Sequence, residues 1–301
     1  MTMTQTSREA LLSRWIKPSS DDEKIQQDRA QRMVIDAVRA HAPLKSASLS
    51  VFAKGSYPNN TNVRRDSDVD IAVQSSVCQY YHYMPGRAPA QRAGSPYQGE
   101  WTPARLRTEV KQALVDAFGA SSVTSGKIAL TVSAVAGSRP SVDVVPSFDY
   151  VLYSDPQRIG KREGSCVFPQ NQAMYIVNWP SQQLVNGRAK NTATGGRYKN
   201  FARALKSAEN ELVKNGIITD LPSYFMECLA WNVADDTLRT GNDLSTGFRA
   251  TLYELWNALD TDDTSDWTEP NDIKYLFRPG QSWTQAQAKR LILETWKYLD
   301  Y

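Results

Sequence analysis

Histidine is nearly absent from these 301 residues: only His41 and His82 occur, and neither sits in a nucleophile-like setting. Serine or cysteine hydrolysis, which needs an imidazole beside its nucleophile, is therefore not expected. Cysteine is scarce as well. Cys78, Cys166 and Cys228 are odd in number, scattered and without a CxxC pair, which argues against a disulfide framework and against a zinc ribbon. No apolar run approaches bilayer length, and the opening MTMTQTSREA lacks the apolar core of a signal peptide, so the expectation is a cytoplasmic chain with no membrane partner. Lysine and arginine form no run, and a net charge of +3 supplies no basic track for a polynucleotide. Small anionic ligands fit this balance better than nucleic acid.

Hydrophobic residues make up 41% and charged residues 22%, an ordinary globular composition with enough chain for two lobes. No internal repeat is visible, and the texture changes near residue 165. Residues 1–165 alternate strand and helix patterns, while residues 166–301 are dominated by helical spacing. A long first helix is expected over residues 21–40, with Ile25, Met33, Val34, Ala37 and Val38 on its apolar stripe and acids in its first turn. SLSVFAKGS reads as a strand ending in a turn, and DVDIAVQ as its antiparallel partner. Residues 78–99 are rich in Tyr, Pro, Gly and Arg without periodicity and read as a surface excursion. Thr102, Pro103 and Gly119 bracket a helix as N-cap, first turn and stop. KIALTVSAVA and SVDVVPSF follow as strands. GASSVTSGKI has the wrong spacing for a phosphate-binding P-loop, and Ile128 stands where a Ser or Thr is needed.

Chemistry concentrates in GSYPNNTNVRRDSDVDIAV, residues 55–73. Side chains at i and i+2 of a strand share a face, so Asp68 and Asp70 converge, with Asp66 following if the strand starts that early. Valines and an isoleucine fill the alternate positions. A third acid, Asp143 in SVDVVPSF, interrupts another apolar strand, where a lone carboxylate is costly without a partner. Carboxylates gathered this way repel each other unless a divalent cation neutralises them, and oxygen-only ligands favour Mg²⁺ or Mn²⁺. Three acids, a Gly-Ser turn and a hard cation have the composition of a two-metal phosphoryl-transfer site, with Ser56 and the turn amides holding phosphates.

These segments resemble the active-site signature of DNA polymerase β-like nucleotidyltransferases. Within them, VNWP (177–180), NGRAKN (186–191), YKNFARALK (198–206) and LPSYFMECLAWNV (221–233) are similar to clade E of the bacterial cGAS/DncV-like nucleotidyltransferases. The resemblance implies an α/β fold: a polymerase-β-like core with a mixed sheet in residues 1–165, and a C-terminal helical lobe in 166–301 that closes the nucleotide cleft. It assigns metal binding and catalysis to Asp68, Asp70 and Asp143, but not to Asp66. It assigns phosphate holding to Gly55 and Ser56, triphosphate contact to Lys206 and Ser223, and recognition of a pyrimidine base to Asn178. A carboxamide can both donate and accept at the edge of uracil, which gives that last role a physical basis. Without the resemblance, Lys206 is equally a polar helix flank, Ser223 an N-cap and Asn178 a turn residue.

VFAKGSYPNNTNV, VNWP and NGRAKNTATGGR look closer to the pyrimidine cyclases of Pycsar anti-phage systems. The implied activity is conversion of UTP to 3′,5′-cyclic UMP and pyrophosphate with two Mg²⁺ or Mn²⁺ ions, the product alerting a separate effector protein. A CTP cyclase making cyclic CMP and a synthase of cyclic UMP-AMP are the alternatives.

Overall fold

The computed structural model describes residues 3–63, 68–89, 96–172 and 174–301. In chain order the elements open with α1 (Gln5–Trp15), α2 (Asp21–Ala40), β1 (Leu49–Lys54), the single turn α3 (Ser56–Asn59) and β2 (Val69–Tyr83). Next come α4 (Pro103–Phe118), β3 (Val123–Ser125), β4 (Leu130–Val132), β5 (Val142–Tyr153), β6 (Lys161–Val167) and β7 (Ile176–Asn178). The remainder is helical: α5 (Pro180–Ala193), α6 (Arg197–Lys214), α7 (Ser223–Trp231), α8 (Asp235–Leu238), α9 (Leu244–Asp260) and α10 (Gln285–Tyr298). They form two compact units, each discontinuous in sequence. One comprises Ser20–Pro58 and Ser67–Ser181, the other Met1–Ser19, Asn59–Asp66 and Gln182–Tyr301.

The first unit is built on a mixed sheet ordered β1-β2-β5-β4-β3, with β6 paired to the far half of β5 and β7 beyond it. β2 and β5 run parallel, and the other pairings are antiparallel. Val69, Ile71 and Val73 on β2 and Val142 and Val144 on β5 are fully buried, the alternation expected of strands with one apolar face. They pack with Ala30, Val34 and Val38 of α2 and Leu106, Val110 and Leu114 of α4. Ser20 and Glu23 close a capping box at the start of α2, and Thr102 accepts the Arg105 amide at the start of α4. Gly119, at φ +85°, ends α4.

Three expectations need correction. The helix at 21–40 is the second in the chain, not the first, because α1 precedes it. Its apolar stripe begins at Ala30, so Ile25 is left 54% exposed. The excursion expected at 78–99 begins as strand: β2 runs on to Tyr83 and pairs with β5 past an irregularity between Ser75 and Gln79. Aromatic residues on both faces hid the alternation. Tyr81 and Tyr83 surround the Arg158 guanidinium with Tyr153, while Tyr80 packs on Phe148 and His82 on Tyr150. Residues 90–95 of that stretch lie outside the described residues. In the rejected P-loop the carbonyls of Gly126, Ile128 and Ala129 accept from Arg107, so the loop presents acceptors to a cation rather than donors to a phosphate.

The second unit packs around Leu12, Trp15, Phe201, Leu205, Phe225 and Phe248. Its central helix, α6, buries residues on most of its circumference, including Tyr198, Ala202, Ala208 and Leu212. Among the described residues, no helix is long and apolar enough to cross a membrane.

Candidate active site

The site in the sheet unit follows from strand register. Asp70 of β2 lies directly beside Asp143 of β5 in the parallel pair, so two acids far apart in sequence become neighbours. On its other side Asp70 is paired with Lys54, the last residue of β1, whose Nζ stands 3.8 Å from Oδ1. Burial, together with the charges of Asp143 and Asp68, pushes the Asp70 carboxyl above its ordinary range, and Lys54 opposes this. Asp68 sits just ahead of β2. Asp66 lies outside the described residues.

Directly after Lys54 the chain turns at Gly55, with φ +74°. A Cβ there would stand 2.4 Å from Asp70 Oδ2, so glycine is required both by the left-handed backbone and by the approach of the carboxylate. Ser56 then opens α3. The next residue, Tyr57, donates its hydroxyl to Asp28 of α2, tying the turn to that helix. Burial and Asp28 push the phenol up to about 12.

One residue that the sequence reading missed is Thr131 on β4. It lies opposite Asp143 and donates a 2.6 Å hydrogen bond to its Oδ1, fixing that carboxylate while the other oxygen stays available. Its signal was a hydroxyl at a polar position of KIALTVSAVA, which alternation alone does not separate from a surface threonine.

By donor type the three aspartates suit a hard divalent cation, and Asp70 is raised mainly by burial, with Asp143 and Asp68 adding to it against Lys54. Among the described residues, no group of three His, Cys, Asp or Glu side chains is already closed into a metal cage. The fit therefore rests on donor chemistry and on the Asp70–Asp143 register.

Asn178 ends β7, opposite Ser165 of β6, rather than shaping a turn. The strands approach so closely here that a Cβ on Gly164 would meet the Asn178 carbonyl at 2.6 Å. Trp179, which follows, is buried with its ring edge-on to Tyr150.

In the helical unit, Ser223 is the first residue of α7 and exposed; the capping position is Pro222, and no side chain caps the helix. Lys206 is 2% exposed. Its Nζ donates to the Thr61 carbonyl at 2.9 Å and stands 3.8 Å from Glu227 Oε2. Glu227, equally buried, also accepts from the Thr61 hydroxyl at 2.6 Å and from Gln183 at 3.1 Å. Burial pulls the Lys206 ammonium down and Glu227 holds it up. Nearby, Arg203 donates to the carbonyls of Ile16 and Asn60 and to Asn200 Oδ1. Arg203 and Glu227 also escaped the sequence reading, since amphipathic spacing gives no sign of which charges a helix buries.

The C-terminal helical domain of cGAS/DncV-like nucleotidyltransferases matches residues 185–300. A cyclic dipyrimidine nucleotide synthase, CdnE, of Legionella pneumophila is 37% identical over 97% of this chain and 98% of its own length. The structure of the Rhodothermus marinus CdnE c-UMP-AMP synthase with Apcpp and Upnpp superposes with a TM-score of 0.79, at 28% identity over 95% of this chain and 94% of that one. That of the Elizabethkingia meningoseptica CdnE cyclic dinucleotide synthase with GTP and Apcpp gives 0.80, at 27% identity over 97% and 99%. The mixed α/β nucleotidyltransferase core with its C-terminal helical lobe is thus established. The Pycsar expectation is overturned. The relatives that match along nearly the whole chain are synthases of cyclic dinucleotides, so cyclization of a single UTP or CTP is withdrawn.

Proposed function

This chain belongs to the CdnE type of cGAS/DncV-like nucleotidyltransferases, and from that premise we propose that it joins two ribonucleoside triphosphates, at least one a pyrimidine, into a cyclic dinucleotide. Nucleotidyltransferase activity comes with the family; the choice of bases and the roles of individual residues are our reading. The observation that carries the dinucleotide product is the likeness along nearly the whole chain to cyclic dinucleotide synthases, while the pair Asp70 and Asp143, side by side in register with the Gly55 turn pressed against Asp70, supports the transfer chemistry.

In this reading a ribose 3′-hydroxyl attacks the α-phosphorus of the other nucleotide. A P–O bond forms, the bond to pyrophosphate breaks, and the hydroxyl proton passes to solvent; a second step of the same kind closes the ring. Two Mg²⁺ or Mn²⁺ ions held by Asp68, Asp70 and Asp143 would supply Lewis-acid activation of the attacking oxygen and charge neutralisation on the leaving group. Gly55 and Ser56 hold phosphate oxygens, and Thr131 keeps the Asp143 carboxylate aimed. Lys206 and Ser223 are assigned to the triphosphate and Asn178 to a pyrimidine edge, on the strength of the motifs they occupy.

The 37% identity to a dipyrimidine synthase supports two pyrimidines. The second reading, one uridylate and one adenylate, is supported by the Rhodothermus structure. The setting we propose is cytoplasmic anti-phage defence, with the product acting on a separate effector.

Purified protein incubated with Mg²⁺ or Mn²⁺ and each NTP, singly and in pairs, should give a product with the mass of a cyclic dinucleotide containing U or C. A product made only of purines would overturn the pyrimidine assignment, and a cyclic mononucleotide as sole product would overturn the dinucleotide reading.

A further inference from the structure

Lys199, Arg203 and Lys206 lie one above another on α6, at i, i+4 and i+7, and all three are buried, with exposures of 9%, 5% and 2%. Two of them are provided for. Arg203 has three oxygen acceptors, and Lys206 has Thr61 and Glu227. The Lys199 ammonium has no hydrogen bond or ion pair among the described residues; only its backbone N–H is engaged, by Asn191 Oδ1.

On balance the surroundings of that ammonium disfavour a cation. Burial pulls it down, and so do Arg188 of α5 and Arg203, while the one acid acting on it, Glu227, is already shared by Lys206, Thr61 and Gln183. Lys199 is also the third residue of α6, and the first turn of a helix carries partial positive charge with no acid here to offset it. An apolar side chain of similar length would pack here without these penalties. The arrangement makes sense if an anion arrives. Arg188, exposed on α5, leaves the site open to solvent.

We propose that Lys199 and Arg188 form an anion-binding site on the helical unit whose ligand is the polyphosphate of a nucleotide. The identity of that nucleotide rests on the function proposed above, whereas the site rests on the helical unit alone. A synthase that takes two nucleoside triphosphates must hold two sets of phosphates, and the Gly55–Ser56 turn serves one. The Lys199 site serves the other.

The test titrates inorganic tripolyphosphate into the full-length protein without metal, followed by calorimetry. Lys199→Met should weaken binding about tenfold, the scale of one lost charge-assisted contact, and Lys199→Arg should retain it. Arg188→Ala, on an exposed side chain, should weaken it without disturbing packing. Lys199→Met should also melt no lower than wild type, because an unpaired buried charge is removed. Unchanged affinity in both Lys199→Met and Arg188→Ala overturns the site, and a lowered melting temperature with unchanged affinity makes Lys199 structural. Asp70→Asn separates the two claims: it should abolish dinucleotide formation and leave intact the loss of tripolyphosphate affinity that Lys199→Met causes. Product surviving in that variant would overturn the catalytic reading while the Lys199 site stood.

Discussion

Each unit holds a cluster of like charges, and the two clusters have opposite sign. The sheet unit gathers carboxylates, Asp68, Asp70 and Asp143, and sets a single lysine, Lys54, near them. On α6 the helical unit buries three cations, Lys199, Arg203 and Lys206, and the acid that acts on both lysines is Glu227; its other buried acids are engaged elsewhere, Glu209 by the Leu221 amide and Glu269 by Asn271 and Arg278. Each leaves charge of one sign incompletely balanced by its own side chains, and the chemistry suited to each differs. Clustered oxygen anions call for a hard cation, while buried ammonium and guanidinium groups call for oxyanions. A nucleotide with its metal carries both.

Within the helical unit the comparison can be broken at the paired end. Lys206→Met would strip Glu227 of its cation and leave a carboxylate buried with only neutral donors. Removing one partner of a buried pair costs about 3 to 5 kcal/mol, so the variant should unfold at markedly lower urea. If Lys206→Met and Lys199→Met destabilise equally, the distinction between a paired and an unpaired cation fails.

The sheet unit is sensitive through backbone as well as charge. Gly55→Ala forces a left-handed conformation on alanine and drives its Cβ into Asp70. Strain of this kind costs about 1 to 3 kcal/mol, and relief by displacing Asp70 would cut turnover further. Urea denaturation and product formation measured together should both fall; full turnover would show that the turn does not hold Asp70 in place.

The units also differed in how far the sequence disclosed them. Strand alternation has a period of two, so Asp70 and Asp143 could be placed on apolar strands from residues a few positions away, whereas Asp68, expected on the first of them, lies just ahead of it. Side-by-side pairing of Asp70 with Asp143 was not readable, because register depends on contacts across some 70 residues. The tyrosine-rich end of β2 was misjudged because both of its faces are aromatic. On α6 the spacing of Lys199, Arg203 and Lys206 was visible as a stripe, but a stripe of charges ordinarily faces water. Only the packing of Thr61 and Glu227 against it reveals that this one faces inward. The choice between a cyclic mononucleotide and a dinucleotide was misread for a related reason, since both products share every residue of the metal site.

The smallest expected effect concerns the Asp70 carboxyl, whose folded-state pKa stands above its ordinary value through burial and the neighbouring acids. Below the ordinary value the group is protonated in the folded and unfolded chain alike and has no influence on stability. As pH rises from there, the unfolded chain releases its proton first, and the metal-free fold loses stability until the raised value is passed. Above that raised value the penalty is complete, so there Asp70→Asn should raise the melting temperature of the metal-free protein by about 2 to 4 °C for each kcal/mol recovered. The lost contact with Lys54 subtracts little, because a 3.8 Å pair in which Asp70 is over a third exposed is weak. The gain should vanish near pH 3 and should shrink when Mg²⁺ is added, since the cation relieves the same repulsion in the wild type. A variant that melts lower at every pH would mean that Lys54 already balances Asp70 and that the acids of this unit, unlike Lys199 in the other, wait for no ligand.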